Sequence, residues 1–178
     1  MISVKLIFIK INRGKYLLYS WRVTKYNPLH RDVNGSYKNQ DEWTSYSEIG
    51  SKVSEEEYLK TEENYIIAIF SFMNEMNLDK MYLNALELNF DEVEKQNAPE
   101  FMSKMWLGKG VSKQEIKELV KLTLREAIWC KLSYKKEFFV HFGYDYYMYI
   151  GAINDCPKAR VKVEMSELFV EESNSPYN

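Results

Sequence analysis

The chain has 178 residues, of which 46% are hydrophobic and 15% aromatic, with 14 tyrosines. This is the length of one domain, with enough apolar side chains to build a core without a disulfide framework or a structural metal. A net charge of −2 and a pI near 5.8 speak against a broadly basic nucleic-acid binder, and no stretch approaches the roughly 18 uncharged apolar residues of a membrane span.

Ser3–Ile11 alternates as a strand, Asn12–Lys15 carries a turn signal, and Tyr16–Val23 predicts the second arm of a hairpin. The opening MISVKLIFIKIN does not read as a signal peptide, because its apolar run is short and broken by Lys5 and Lys10. Asn-Pro and Asn-Gly mark residues 26–37 as a loop, which leads into the polar segment DEWTSYSEIG, Asp41–Gly50. Ser54 and Glu57 read as a capping box, with Glu55 and Glu56 at the positive end of the helix dipole. Leu59, Ile66, Ile69, Phe70, Met73 and Met76 then predict a helical stripe ending near Asn77. Lys80–Asn89 predicts a strand, and residues 91–110 a loop with a short helical piece.

Ser112 with Glu115 is a second capping box. Ile116, Leu119, Val120, Thr123, Leu124 and Ala127 predict a second long helix reaching about Lys131. Glu137–Phe142 and Asp145–Ala152 predict a hairpin turning at Gly143-Tyr144, Arg160–Glu164 predicts one more strand, and the polar tail from Glu171 is expected to fray. The order β-β-α-β-α-β-β predicts a single α+β domain over residues 1–170, with residues 171–178 as a polar C-terminal tail. In it, a mixed or mainly antiparallel sheet carries two long helices.

Charge is segregated along the chain. Residues 1–40 hold 8 Lys and Arg against one Asp, residues 41–100 hold 4 against 15 carboxylates, and residues 101–178 hold 12 against 10. Such segregation marks either a partner surface or segments that neutralise one another once folded.

Motifs for chemistry are scarce, and no cofactor is implied. Gly108-Lys109-Gly110 lacks the spacing of a phosphate loop and the Ser/Thr that follows its lysine. His30 and His141 are far apart with no Cys/His pairing, so no metal site is expected, and His141 reads as a strand histidine bonded to a neighbour. No Gly-x-Ser-x-Gly is present. Cys130 falls near the end of the predicted second helix, where the dipole raises a thiol pKa. Two lone cysteines, Cys130 and Cys156, fit a reducing cytoplasm. Lys113, Lys117, Lys121 and Arg125 form a basic ridge, read as a solvated helix face beside Glu115, Glu118 and Glu126 rather than a phosphate contact. Glu126, His141 and Asp145 would serve a small hydrolase or a ligand pocket if the fold made them converge.

The densest aromatic run is Phe138–Gly151, FFVHFGYDYYMYIG. Alternation puts Tyr144, Tyr146, Met148 and Ile150 on one side and Asp145, Tyr147 and Tyr149 on the other. Either one row packs on the helices while the other exposes tyrosine beside carboxylate, or both rows are buried in a two-sided core. Trp43 and Tyr46, with Asp41, Glu42 and Glu48, have the same aromatic and acidic character, which suits a basic protein surface.

Three blocks, DEWTSYSEIG (41–50), LREAIWCKL (124–132) and FFVHFGYDYYMYI (138–150), resemble a bacterial family of small single-domain immunity-type proteins from polymorphic and contact-dependent toxin systems. The resemblance covers roughly residues 41–150. It implies a cytoplasmic protein without catalysis that binds and neutralises a cognate toxin by occluding its active site or a neighbouring surface. Many such toxins are nucleases with basic grooves. The partner implied is thus a protein toxin, not nucleic acid or a membrane. The expected contact residues are Asp41, Glu42, Trp43, Tyr46, Tyr144, Asp145 and Tyr147. Two alternatives remain: the enzyme or ligand pocket near Glu126, His141 and Asp145, and a homo-oligomeric structural module paired through its tyrosine row.

Overall fold

The computed structural model describes residues 19–38, 44–143 and 146–177. The predicted strand Ser3–Ile11 and the turn at Asn12–Lys15 lie outside them. In chain order the elements are β1 (Tyr19–Thr24), α1 (Glu55–Glu75), β2 (Lys80–Leu88), α2 (Phe90–Lys95), α3 (Pro99–Met102), β3 (Gly110–Ser112), α4 (Lys113–Leu124), β4 (Ile128–Tyr134), β5 (Phe138–Phe142), β6 (Met148–Ala152), α5 (Pro157–Glu164) and β7 (Phe169–Glu172). Short 3-10 turns lie at Pro28–His30 and Tyr46–Glu48.

The seven strands join in the order β3-β2-β4-β5-β6-β1-β7, with every neighbouring pair antiparallel. The result is an α+β fold. Trp21, Ile150, Val140, Leu132 and Leu83 form one cross-strand row, and all five are buried in the core. Tyr65, Ile69 and Phe72 of α1, Ile116 and Leu119 of α4, and Ala159 and Val163 of α5 belong to the same core. Rows of this kind form because the strand period of two sends every second side chain to the helix face.

Both predicted helix starts occur. Ser54 Oγ accepts the Glu57 N–H at 3.2 Å. At α4 the box is reciprocal: Ser112 Oγ accepts the Glu115 N–H at 3.3 Å, and Glu115 Oε2 accepts the Ser112 N–H at 2.8 Å. The inward stripe of α1 runs through Tyr58, Tyr65, Ile66, Ile69, Phe72 and Met73, and Leu59 is exposed. Opposite-signed segments do meet. Lys117 pairs with Glu63 at 2.9 Å, Lys113 with Asp79 at 3.7 Å, and Arg125 with Glu62 at 2.7 Å. The basic ridge of α4 is thus largely taken up by acids of α1 and the turn after it.

Three expectations are corrected. The second helix stops at Leu124, because Glu126 adopts φ 60 and reverses the chain. Cys130 then lies in strand β4, whose burial alternates along Ile128–Leu132. Residues 160–164 belong to helix α5, opened by Pro157 at its first turn, where proline loses no helical hydrogen bond. The tail does not start as a frayed end: Phe169–Glu172 pairs with β1, and Ser175 is buried. The two-sided reading of the hairpin also holds for β6, since Met148 and Ile150 face the helices while Tyr149, on the far face, is 8% exposed.

Candidate functional site

Two segments a hundred residues apart meet at one end of the sheet, where β1 ends and β6 begins. The Tyr46 N–H donates to the Tyr146 hydroxyl at 3.0 Å. Tyr146 holds φ 58, a backbone conformation that strains most side chains, and neighbouring groups hold it there. The Tyr65 hydroxyl donates to the Tyr146 carbonyl at 2.6 Å and accepts the Lys25 N–H at 3.1 Å. The Tyr58 hydroxyl donates to the Leu124 carbonyl at 3.0 Å. These bonds tie the 3-10 turn, α1, the end of α4 and the β5–β6 connection to one another.

Charge is built in beside them. Arg125 grips the buried carboxylate of Glu62 at two points, 2.7 and 2.8 Å, and reaches Gln96 Oε1 at 3.0 Å. Its guanidinium lies 5.2 Å from the Tyr46 ring centre, and the Tyr46 and Tyr58 rings meet edge to face. Lys25 donates to Thr44 Oγ1 at 2.5 Å and sits between the rings of Tyr26 and Tyr146. Beside them lies a cavity of about 410 Å³ walled by Lys25, Thr44, Glu57, Tyr58, Glu62 and Tyr146.

On the other side of Tyr146, the Tyr147 ring lies under the Arg22 guanidinium at 4.8 Å and beside the ring of Tyr37. Arg22 and Arg31 share one carboxylate, Glu171, at 3.2 and 2.5 Å. Burial works against the Glu171 anion, but the two guanidiniums outweigh it and hold its pKa below the ordinary carboxylate value.

Proton positions follow from burial. Desolvation raises the Tyr58 and Tyr65 hydroxyls and pushes Tyr146 up to about 12, so all three are protonated donors at neutral pH. Burial pushes the Cys130 thiol up to about 12 and Cys156 to about 11. His141 is lowered to about 4 by burial and by the Lys131 ammonium. Among the described residues, no three His, Cys, Asp or Glu side chains gather where they could hold a metal ion, and no helix is long and apolar enough to cross a membrane. These groups offer rings, protonated hydroxyls and fixed charges, which suit recognition.

Of the residues singled out in the sequence, Tyr46 and Tyr147 lie at this end of the sheet, each half-buried. Asp41, Glu42, Trp43, Tyr144 and Asp145 lie outside the described residues. Glu126 and His141 are not brought together. Glu126 is exposed and lines shallow hollows with Tyr146, Tyr147 and Trp129. His141 is on the far face of the sheet, bonded to Ser175 at 2.9 Å. Sequence reasoning missed Tyr58, Glu62 and Tyr65. The signal was a carboxylate at helical spacing between two tyrosines, which places all three on one inward face.

Comparison with protein-family models, curated proteins and solved structures returns no match for this chain. The resemblance carried by the three blocks therefore rests on those residues alone.

Proposed function

We propose that this chain is an immunity-type protein: a binding domain that neutralises a cognate bacterial toxin by covering its active site or the surface beside it, without catalysis. The observation that carries the reading is the bond from the Tyr46 N–H to the Tyr146 hydroxyl. It joins the first and third of the resembling blocks at one end of the sheet, so that residues far apart in sequence form one surface. Loops held by a rigid sheet are where binding residues are usually placed.

The partner surface proposed is basic, to be met by the exposed acids of this end, which stand among the cations Lys25 and Lys52 of the same cavity wall. Glu57 lines the larger cavity and Glu126 the hollows beside Tyr146 and Tyr147, and both are exposed. Tyrosine rings next to carboxylates supply anchors with little side-chain entropy to lose, and the acids steer a basic groove toward them. Inhibition is then steric.

The test is growth. The product of the adjacent upstream gene is induced in cells with and without this chain. Protection by the intact chain, weakened by Glu57→Lys with Glu126→Lys, supports the reading. An upstream product that arrests growth equally with and without the chain overturns it.

A further inference from the structure

The far face of the sheet carries a second row, Arg22, Tyr149, His141 and Lys131, on four adjacent strands. The C-terminal segment after β7 runs across it. The Ser173 N–H donates to the Ser20 carbonyl on β1 at 3.0 Å. Ser175 Oγ is bonded to His141 Nδ1 on β5 at 2.9 Å and accepts the Tyr177 N–H at 3.2 Å. Lys131 on β4 donates to the Tyr177 carbonyl. The Tyr177 ring is seated edge to face between Trp129 of β4 and Tyr149 of β6, with centres 5.9 and 6.0 Å away. Ser175 is 6% exposed and Tyr177 half-buried, while Asn174 and Pro176 are exposed, so the segment meets the sheet through alternate residues.

The segment ends against the β5–β6 connection. A Cβ added at Gly143 would lie 3.1 Å from the Tyr147 carbonyl oxygen and 3.2 Å from the Tyr177 hydroxyl. The Gly143 N–H donates to that same Tyr147 carbonyl at 2.6 Å and closes the connection. Trp129, which the Tyr177 ring abuts, donates its indole N–H to the Phe142 carbonyl at 2.7 Å. The Tyr177 hydroxyl thus occupies the space a Gly143 side chain would need, and its ring abuts the Trp129 that holds the Phe142 carbonyl, so one aromatic side chain packs beside the Phe142–Gly143 peptide.

We infer that the C-terminal segment is a strap and that Tyr177 is a positioning residue for the proposed partner-binding surface. Tyr177 acts on the surface by fixing Gly143 and, through it, the Tyr146–Tyr147 pair. The strap does not need to touch the partner. The inference about the partner rests on the proposed function, and the positioning itself does not.

Two measurements on this chain separate these claims. In the first, amide hydrogen exchange compares the parent with Tyr177→Ala and Tyr177→Phe. The account predicts that Tyr177→Ala speeds exchange at the Gly143 N–H about tenfold while amides in α1 and β2 keep their protection, and that Tyr177→Phe, which keeps the ring, has a smaller effect. Unchanged exchange at Gly143 overturns the strap, and so does an equal loss across α1 and β2, which would make Tyr177 an ordinary core residue. Gly143→Ala approaches the same contact from its other side and is predicted to speed exchange at Tyr177.

In the second, the same Tyr177→Ala chain is tested for binding to the upstream gene product. A faster dissociation rate supports the positioning role. Unchanged binding by a chain whose Gly143 has loosened overturns the part of the inference that concerns the partner. Failure of the parent chain itself to bind counts against the proposed function alone, and the exchange result still decides the strap.

Discussion

Glu62 and Arg125 form a two-point ion pair across the junction of α1 and the end of α4, with Glu62 at 4% side-chain exposure and Arg125 at 21%. Glu62 lines the 410 Å³ cavity, and the Arg125 guanidinium lies 5.2 Å from the Tyr46 ring centre. Removing one member of a buried pair leaves the other charge without compensation. Arg125→Ala, which strands the deeper Glu62, is therefore expected to cost about 3 kcal/mol of folding stability. Glu62→Gln should cost less, because Arg125 reaches solvent and keeps Gln96. Urea denaturation of the two variants checks the order, and equal costs would contradict it.

His141 gives the chain a pH dependence. Burial and the Lys131 ammonium lower its pKa from 6.5 to about 4, so the unfolded chain binds the proton more readily than the folded one. Its contribution to stability is intact above pH 6.5, falls as the pH drops from 6.5 toward 4, and levels off below that. Replacing His141 by Gln should flatten the stability curve across this window. A urea midpoint that varies equally in both proteins between pH 6.5 and 4 would refute the assignment.

Glu75 caps a helix that is not its own. Its Oε2 accepts the Ala159 N–H at 2.6 Å and its Oε1 the Lys158 N–H at 3.4 Å, at the start of α5. The residue before that helix, Cys156, offers no side-chain cap. Glu75→Ala should cost about 1 kcal/mol, the usual value of a lost cap. It should also speed amide exchange in α5 before it affects β5.

Gly151 is fixed by contact. A Cβ there would lie 2.0 Å from the Phe139 ring, its cross-strand partner on the far face. Gly151→Ala should force Phe139 aside and destabilise the fold by about 2 kcal/mol, in the range for overpacked cores. A thermal melt tests this, and Phe139→Leu in the same chain should recover part of the loss.

The parts legible in the sequence were those set by local signals. Ser54 and Ser112 announce their helices because a cap needs only its own next three residues. Glu137–Phe142 and Asp145–Ala152 read as strands because their aromatic and β-branched residues suit a pleated surface, and the second begins only at Met148. The failures share one cause. Between Leu124 and Leu132 the apolar positions fit a helix and a strand equally well, and the left-handed turn at Glu126 decides between them. In PKARVKVE, alternating Val and Lys imitate a strand, whereas Pro157 and the Glu75 cap, supplied from 84 residues away, make it a helix. The tail looked frayed because its partners, Arg22, Arg31 and His141, are all distant in sequence. For the candidate site, the tyrosine-rich character of the two loops was readable, and the pairing of Tyr46 with Tyr146 was not.

The measurement that most directly tests the central claim is the affinity of the upstream gene product for three versions of this chain. The parent is compared with Glu57→Lys/Glu126→Lys at the loop end and with Lys136→Glu, an exposed residue on the β4–β5 turn. The account predicts tight binding by the parent and by Lys136→Glu, with a loss of about a hundredfold in the loop-end variant. Equal affinity in all three, from chains that melt alike, would place any interface elsewhere and contradict the account.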